Sequence, residues 1–105
     1  ITPNQNVNEY SSFHLYVVRI TENNGIDRKA IFEKLRNAGI YVNIHYIPIY
    51  RQPYYSKGFN KNNFPNAEKY YSEAISLPIY PNLKDEEIQQ VVDIIHKPTN
   101  FQNIF

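Results

Sequence analysis

The sequence contains no cysteine, no methionine and no tryptophan, and only three glycines in 105 residues. Without cysteine there is no disulfide framework, thiolate nucleophile or cysteine–zinc site, and the composition fits a reducing cytoplasm. With glycine only at Gly25, Gly39 and Gly58, no glycine-rich loop can cradle a phosphate. No methionine stands at position 1 and no targeting pattern opens the chain, so a piece of a longer protein is expected. No apolar run approaches the roughly 20 residues of a membrane span. An excess of charge is missing too. A net charge of +1 provides no field for a nucleic-acid backbone or an anionic membrane.

What is present is one modest domain, 42% apolar, with ten tyrosines. Residues 1–12 are polar and aperiodic and read as a connector. FHLYVVRI, 13–20, reads as a strand that ends at the turn-forming TENNG. Tyr16, Val18 and Ile20 share one of its faces and Leu15 and Val17 the other, which predicts an interior strand. His14 is expected inside it, packed in the core or on a sheet face. Asp27 is a good N-cap for RKAIFEKLRNA, with Ile31, Phe32, Leu35 and Ala38 as buried stripe and Gly39 at C′. IYVNIHYI, 40–47, is predicted as a second strand. Residues 48–65 carry three prolines and several asparagines and are expected to be irregular. PNAEKYYSEA opens with a proline suited to a first helical turn. In ISLPIYP the alternation predicts a strand that Pro78 confines to an edge or an end. KDEEIQQVVDIIHK reads as a helix with an acidic first turn and a stripe of Ile88, Val91, Val92 and Ile95. The tail, 98–105, has no clear structure. The element order is β-α-β-loop-α-β-α, an α+β class.

No catalytic constellation is visible. His14, His45 and His96 lack metal-ligand spacing, so no metal site is expected. No serine sits in GxSxG. The lysines fall on predicted helix surfaces or in loops, not in an apolar setting that would free an amine for Schiff-base chemistry. The concentrated feature is VNIHYIPIYRQPYY, 42–55. Five of the ten tyrosines fall within 41–55. An irregular loop this long is usually functional. Aromatic faces there suit sugar or base rings. His45, Tyr46, Tyr50, Arg51, Gln52 and Tyr55 supply polar groups for hydroxyls and phosphates, and are the candidate substrate-binding residues. The alternative is a surface seam of amphipathic tyrosines covering the join between sheet and helices.

HYIPIYRQPYY and FPNAEKYYSEAISLPIYPNLKDEEIQQVVDII together resemble the C-terminal part of the DegT/DnrJ/StrS family of pyridoxal-phosphate-dependent nucleotide-sugar aminotransferases. The matching motifs are His45-Tyr46-Ile47-Pro48, Pro53-Tyr54-Tyr55, Pro65-Asn66-Ala67-Glu68, Ser76-Leu77-Pro78-Ile79-Tyr80-Pro81 and Asp85-Glu86-Glu87. Each is weak alone; five in order are not. One departure stands at Tyr50, where many relatives carry histidine. Within the family the chain is most similar to transaminases of UDP-linked 4-keto-6-deoxy amino sugars, the pseudaminic-acid type.

The resemblance implies the small domain of a fold-type-I aminotransferase over 13–97, with helices packed on a mostly antiparallel sheet. It implies glutamate as amino donor and a nucleotide-linked 4-keto sugar as acceptor, in cell-surface glycan or modified-sugar synthesis. The Schiff-base lysine, in a Ser-His-x-Lys context, and the aspartate on the pyridine nitrogen would lie in a larger N-terminal domain. This chain has no Ser-His-x-Lys. Alone it is expected to bind no pyridoxal phosphate, contribute no catalytic residue and be inactive. Its expected partners are that large domain, the nucleotide-sugar and, for the parent, a second copy in a homodimer. A domain this small is also expected to expose apolar surface that the large domain covers. The competing reading is a freestanding α+β binding module without catalysis.

Overall fold

The computed structural model describes residues 1–96; the predicted tail lies outside the described residues. Strand β1 is Tyr16–Arg19 and helix α1 is Arg28–Asn37. After a long loop come helix α2, Pro65–Glu73, strand β2, Ala74–Leu77, and helix α3, Asp85–His96. β1 and β2 pair antiparallel, with Val18 opposite Ile75 and Tyr16 opposite Leu77. Helix α1 starts where Asp27 accepts a hydrogen bond from the Ala30 amide at 3.0 Å. It ends before Gly39, whose φ of 80° favours a residue without Cβ. Asn24 and Gly25, both at positive φ, make the tight turn that closes the Asn23–Ile26 bridge. Helix α3 is capped by Glu87, which reaches back to accept from the Lys84 amide at 2.9 Å. The Asp-Glu-Glu run therefore does more than complement the helix dipole.

The predicted second strand reduces to one bridge, Asn43–Ser76. Asn43 donates to the Ser76 carbonyl at 3.2 Å and accepts from the Ser76 amide at 2.8 Å. In an antiparallel ladder the next hydrogen-bonded pairs would place 41 against 78 and 45 against 74. Pro78 has no amide hydrogen. The Ala74 amide is already committed to the Tyr70 carbonyl at the end of α2. Both flanking rungs lack a donor, so the pairing stops. The alternation itself survives: Ile40 and Val42 are buried and Tyr41 is exposed.

The core is Val18, Ile31, Leu35, Ile40, Val42, Ile75 and Val91, which joins one sheet face to α1 and α3. Three expectations for burial fail. Ala38 and His14 are exposed, His14 lying in a bend before β1. Of the α3 stripe Val91 is buried and Ile95 half-buried, while Ile88 and Val92 stay open. They border an apolar groove between α3 and the sheet. Residues 1–12 form no regular element, yet Ile1 exchanges two 2.9 Å backbone bonds with Arg19 along the outer edge of β1. Among the described residues no helix is long and apolar enough to cross a membrane.

Candidate functional site

The 45–64 loop is held at two points. The first is His45. Its Nδ1 lies 2.8 Å from the Ser76 hydroxyl, on the β2 residue that also makes the Asn43 bridge. Ser76 is 5% exposed. It thus fixes the strand end through its backbone and the imidazole through its side chain. A hydrogen bond at one ring nitrogen sets the orientation of the other. Nε2 of His45 has no partner among the described residues.

The second point is Glu68, in the first turn of α2. The Tyr50 hydroxyl donates to its Oε1 at 2.9 Å. Arg51 donates to the same oxygen through Nε at 2.9 Å and to Oε2 through a terminal nitrogen. This fork is the strong, geometrically specific form of the ion pair. The Tyr50 ring stacks on Phe64, with centroids 4.5 Å apart and planes 16° apart. The guanidinium of Arg51 lies over Tyr71, 5.3 Å from the ring centre, and Arg28 of α1 approaches the same ring at 5.6 Å. One carboxylate therefore ties a 3-10 turn at Ile49–Arg51 to α2.

The electrostatics follow from these contacts. The Arg51 hydrogen bond, helped by that of Tyr50, holds the Glu68 carboxyl below its ordinary value against the opposing effect of burial. Burial and then Glu68 push the Tyr50 phenol up. The bond to Glu68 raises Arg51 further.

Between and beyond these anchors the loop is built from local turns. The Arg51 amide bonds the Pro48 carbonyl, those of Tyr55 and Ser56 the Gln52 carbonyl, and that of Gly58 the Tyr55 carbonyl. A second 3-10 turn, Lys61–Asn63, precedes α2. The sequence predicts no regular element over 48–65; short 3-10 turns form there because the prolines exclude longer ladders but not i+3 bonds. The crest is open. Tyr46 is 75% exposed, Tyr54 87%, and Ile47 and Ile49 are more than half exposed. Tyr46 sets its ring edge-on to His45 at 4.6 Å, and Tyr54 does the same with Tyr55 at 5.0 Å.

The six predicted residues thus divide. His45, Tyr46, Gln52 and Tyr55 present side chains at or near the surface, while Tyr50 and Arg51 are engaged by Glu68. Sequence reasoning missed Glu68 and Ser76 as the anchors. Both lie in motifs it singled out, but nothing local to either names a partner 17 or 31 positions away.

Residues 1–96 match the DegT/DnrJ/EryC1/StrS aminotransferase family. The chain belongs to that family. It is 36% identical over 87 residues to a UDP-4-amino-4,6-dideoxy-N-acetyl-beta-L-altrosamine transaminase of Helicobacter pylori, which spans 83% of this chain and 23% of that protein. It is 33% identical over 99 residues to the spore coat polysaccharide biosynthesis protein SpsC of Bacillus subtilis, covering 90% of this chain and 25% of SpsC. The fold superimposes on Helicobacter pylori PseC, an aminotransferase involved in the biosynthesis of pseudoaminic acid. The TM-score is 0.71 at 36% identity, over 83% of this chain and 24% of PseC. A sugar aminotransferase of Streptococcus pneumoniae, Spr1654, in its PMP form gives 0.68 at 34% identity, over 81% and 22%. The chain spans about a quarter of the length of these relatives. The predicted α+β architecture and family placement both hold.

Such enzymes need a lysine able to form a Schiff base. Lys29, Lys57, Lys61, Lys69 and Lys84 are exposed, on helix surfaces or in loops. These five lysines lack the apolar setting that Schiff-base chemistry uses. Among the described residues no three histidine or acidic side chains gather to hold a metal ion.

Proposed function

We propose that this chain is the substrate-side domain of a pyridoxal-phosphate-dependent transaminase that moves an amino group from glutamate to a nucleotide-linked 4-keto sugar. The observation that carries the proposal is a loop whose base is locked to β2 and α2 while its aromatic crest stays open. A site that must orient a ligand needs rigid support behind exposed recognition groups. The large N-terminal domain of the parent holds the cofactor, which supplies the electron sink of the reaction. The parent is a cytoplasmic homodimer in this reading, and the present chain alone is inactive.

The residues of this chain bind and orient. Tyr46 and Tyr55 offer ring faces to sugar or base and their hydroxyls to sugar oxygens. His45, through Nε2, and Gln52 meet hydroxyls. Tyr50 and Arg51 hold the loop in place through Glu68, and Arg51, partly exposed, also turns its charge toward a phosphate. The test is made in the full-length protein. His45→Ala and Tyr46→Phe should each lower kcat/KM for the sugar by about five- to 150-fold, the range expected for one lost hydrogen bond to a neutral or charged group. The glutamate half-reaction and the absorbance of the bound cofactor should not change. Loss of cofactor binding with sugar affinity intact would overturn the assignment.

A further inference from the structure

The loop folds around a hollow of about 590 Å³, within the ~300–1,000 Å³ typical of small-ligand sites. Tyr50, Arg51, Ser56, Phe59, Asn60 and Lys61 line it. Tyr50 and Arg51 come from the first 3-10 turn, Asn60 and Lys61 from the cap and first residue of the second. Its described lining residues include no acid. Phe59, Asn60 and Lys61 lie outside the motifs that carry the family resemblance, and the substrate-binding residues proposed above do not include them.

We propose that this hollow holds the nucleoside diphosphate end of the nucleotide-sugar, with the base on Phe59 and the diphosphate on Lys61 and Arg51. The inference rests on the transaminase reading above and adds the two residues, Phe59 and Lys61, that set affinity for the nucleotide.

Phe59 is more than half exposed. Its ring leans on Phe64, with centroids 6.3 Å apart, and Phe64 stacks on Tyr50, which Glu68 holds. The open ring is therefore supported from behind. Any base can stack on such a ring, because every base has a π-face. Lys61 makes no hydrogen bond or salt bridge among the described residues. Its charge nevertheless helps hold the Glu68 carboxyl down, so the ammonium lies on the same side of the loop as Arg51. In Arg51 the fork to Glu68 uses Nε and Nη2; Nη1 makes no hydrogen bond among the described residues. Two cations against one carboxylate leave the hollow positive. A neutral sugar has no use for that charge, and a small carboxylate has none for Phe59. A nucleoside diphosphate uses both, and its linked phosphates can meet two cations at once.

Reach agrees with one ligand spanning hollow and crest. From His45 to Pro48 the chain covers up to about 11 Å, and the 3-10 turn to Arg51 adds about 6 Å, so His45 and Arg51 stand no more than about 17 Å apart. An elongated nucleotide-sugar bound in the hollow thus leaves its sugar to His45 and Tyr46.

The test is competitive inhibition of the full-length protein by UDP and by dTDP, read against the nucleotide-sugar. For whichever inhibits more strongly, Lys61→Gln should raise the inhibition constant about ten-fold, the low end for a lost hydrogen bond to a charged group. Phe59→Leu should raise it at least about five-fold, the low end for one stacked base, and Phe59→Tyr should restore it. The Lys61 effect should fade at high salt and the Phe59 effect should not, a split that a general loosening of the loop would not produce. If both variants leave the constant within about two-fold while His45→Ala still raises sugar KM, the hollow is not the nucleotide site although the transaminase reading stands. If neither nucleotide competes with the sugar, the proposal also falls. If His45→Ala is silent as well, the transaminase reading falls with it.

Discussion

Tyr46 and Tyr50 stand four positions apart in one loop, yet the first is 75% exposed and the second 7%. Tyr50 spends its hydroxyl on Glu68 and its ring on Phe64. Tyr46 touches the ring of His45 and leaves its other side to solvent. The same residue type serves as a fastener at the base and as a free surface at the crest. The difference comes from what stands opposite each position, not from the tyrosine. Under the proposed function it also assigns different consequences to substitutions: the base governs stability, the crest recognition.

The comparison breaks most completely if the platform under both halves is removed. Ile75 is fully buried and adjoins Ser76 on β2. Ile75→Ala should destabilise the domain by about 2–5 kcal/mol, read from urea unfolding. At the crest, the Tyr46→Phe and His45→Ala effects on kcat/KM described above should appear without a matching loss of Tm. Ser76→Ala sharpens the boundary between the halves. It removes the side-chain anchor of His45 but keeps the Asn43 bridge. It should cost about 0.5–1.5 kcal/mol in stability and lower sugar kcat/KM in the same direction as His45→Ala.

A pH titration addresses the base alone. The Glu68 carboxyl is held below its ordinary value of 4.5, so its contribution is fully present above that pH. The contribution is lost as pH falls through the lowered folded value. Tyr50 is raised above 10.0, so its contribution persists up to that pH and is lost as pH rises past the folded value. Stability should therefore fall at both extremes, and Glu68→Gln should flatten the acid limb. The smallest effect belongs to the outermost crest. Tyr54→Ala should change stability by no more than about 0.5 kcal/mol, checked by thermal unfolding.

Much of this architecture was legible in the sequence. Asp27, Gly39 and Pro65 mark helix ends because capping chemistry is local, and all three act as expected. The 40–47 strand was overread because alternation reports which side chains face inward, not whether backbone donors exist opposite. Here Pro78 and the committed Ala74 amide removed them. The α3 stripe was read correctly as apolar, but apolarity alone does not say that Ile88 and Val92 are covered. The loop's composition and its family motifs marked it as the candidate site. Which of its side chains anchor it was not visible, since Tyr50–Glu68 and His45–Ser76 are tertiary contacts.

The most direct test pairs Tyr46→Phe with Glu68→Gln in the full-length protein and measures, for each, sugar KM and Tm side by side. The account predicts that Tyr46→Phe raises sugar KM with Tm unchanged, while Glu68→Gln lowers Tm and disturbs KM only through the loosened loop. A Tyr46→Phe protein with lowered Tm and unaltered KM would contradict it.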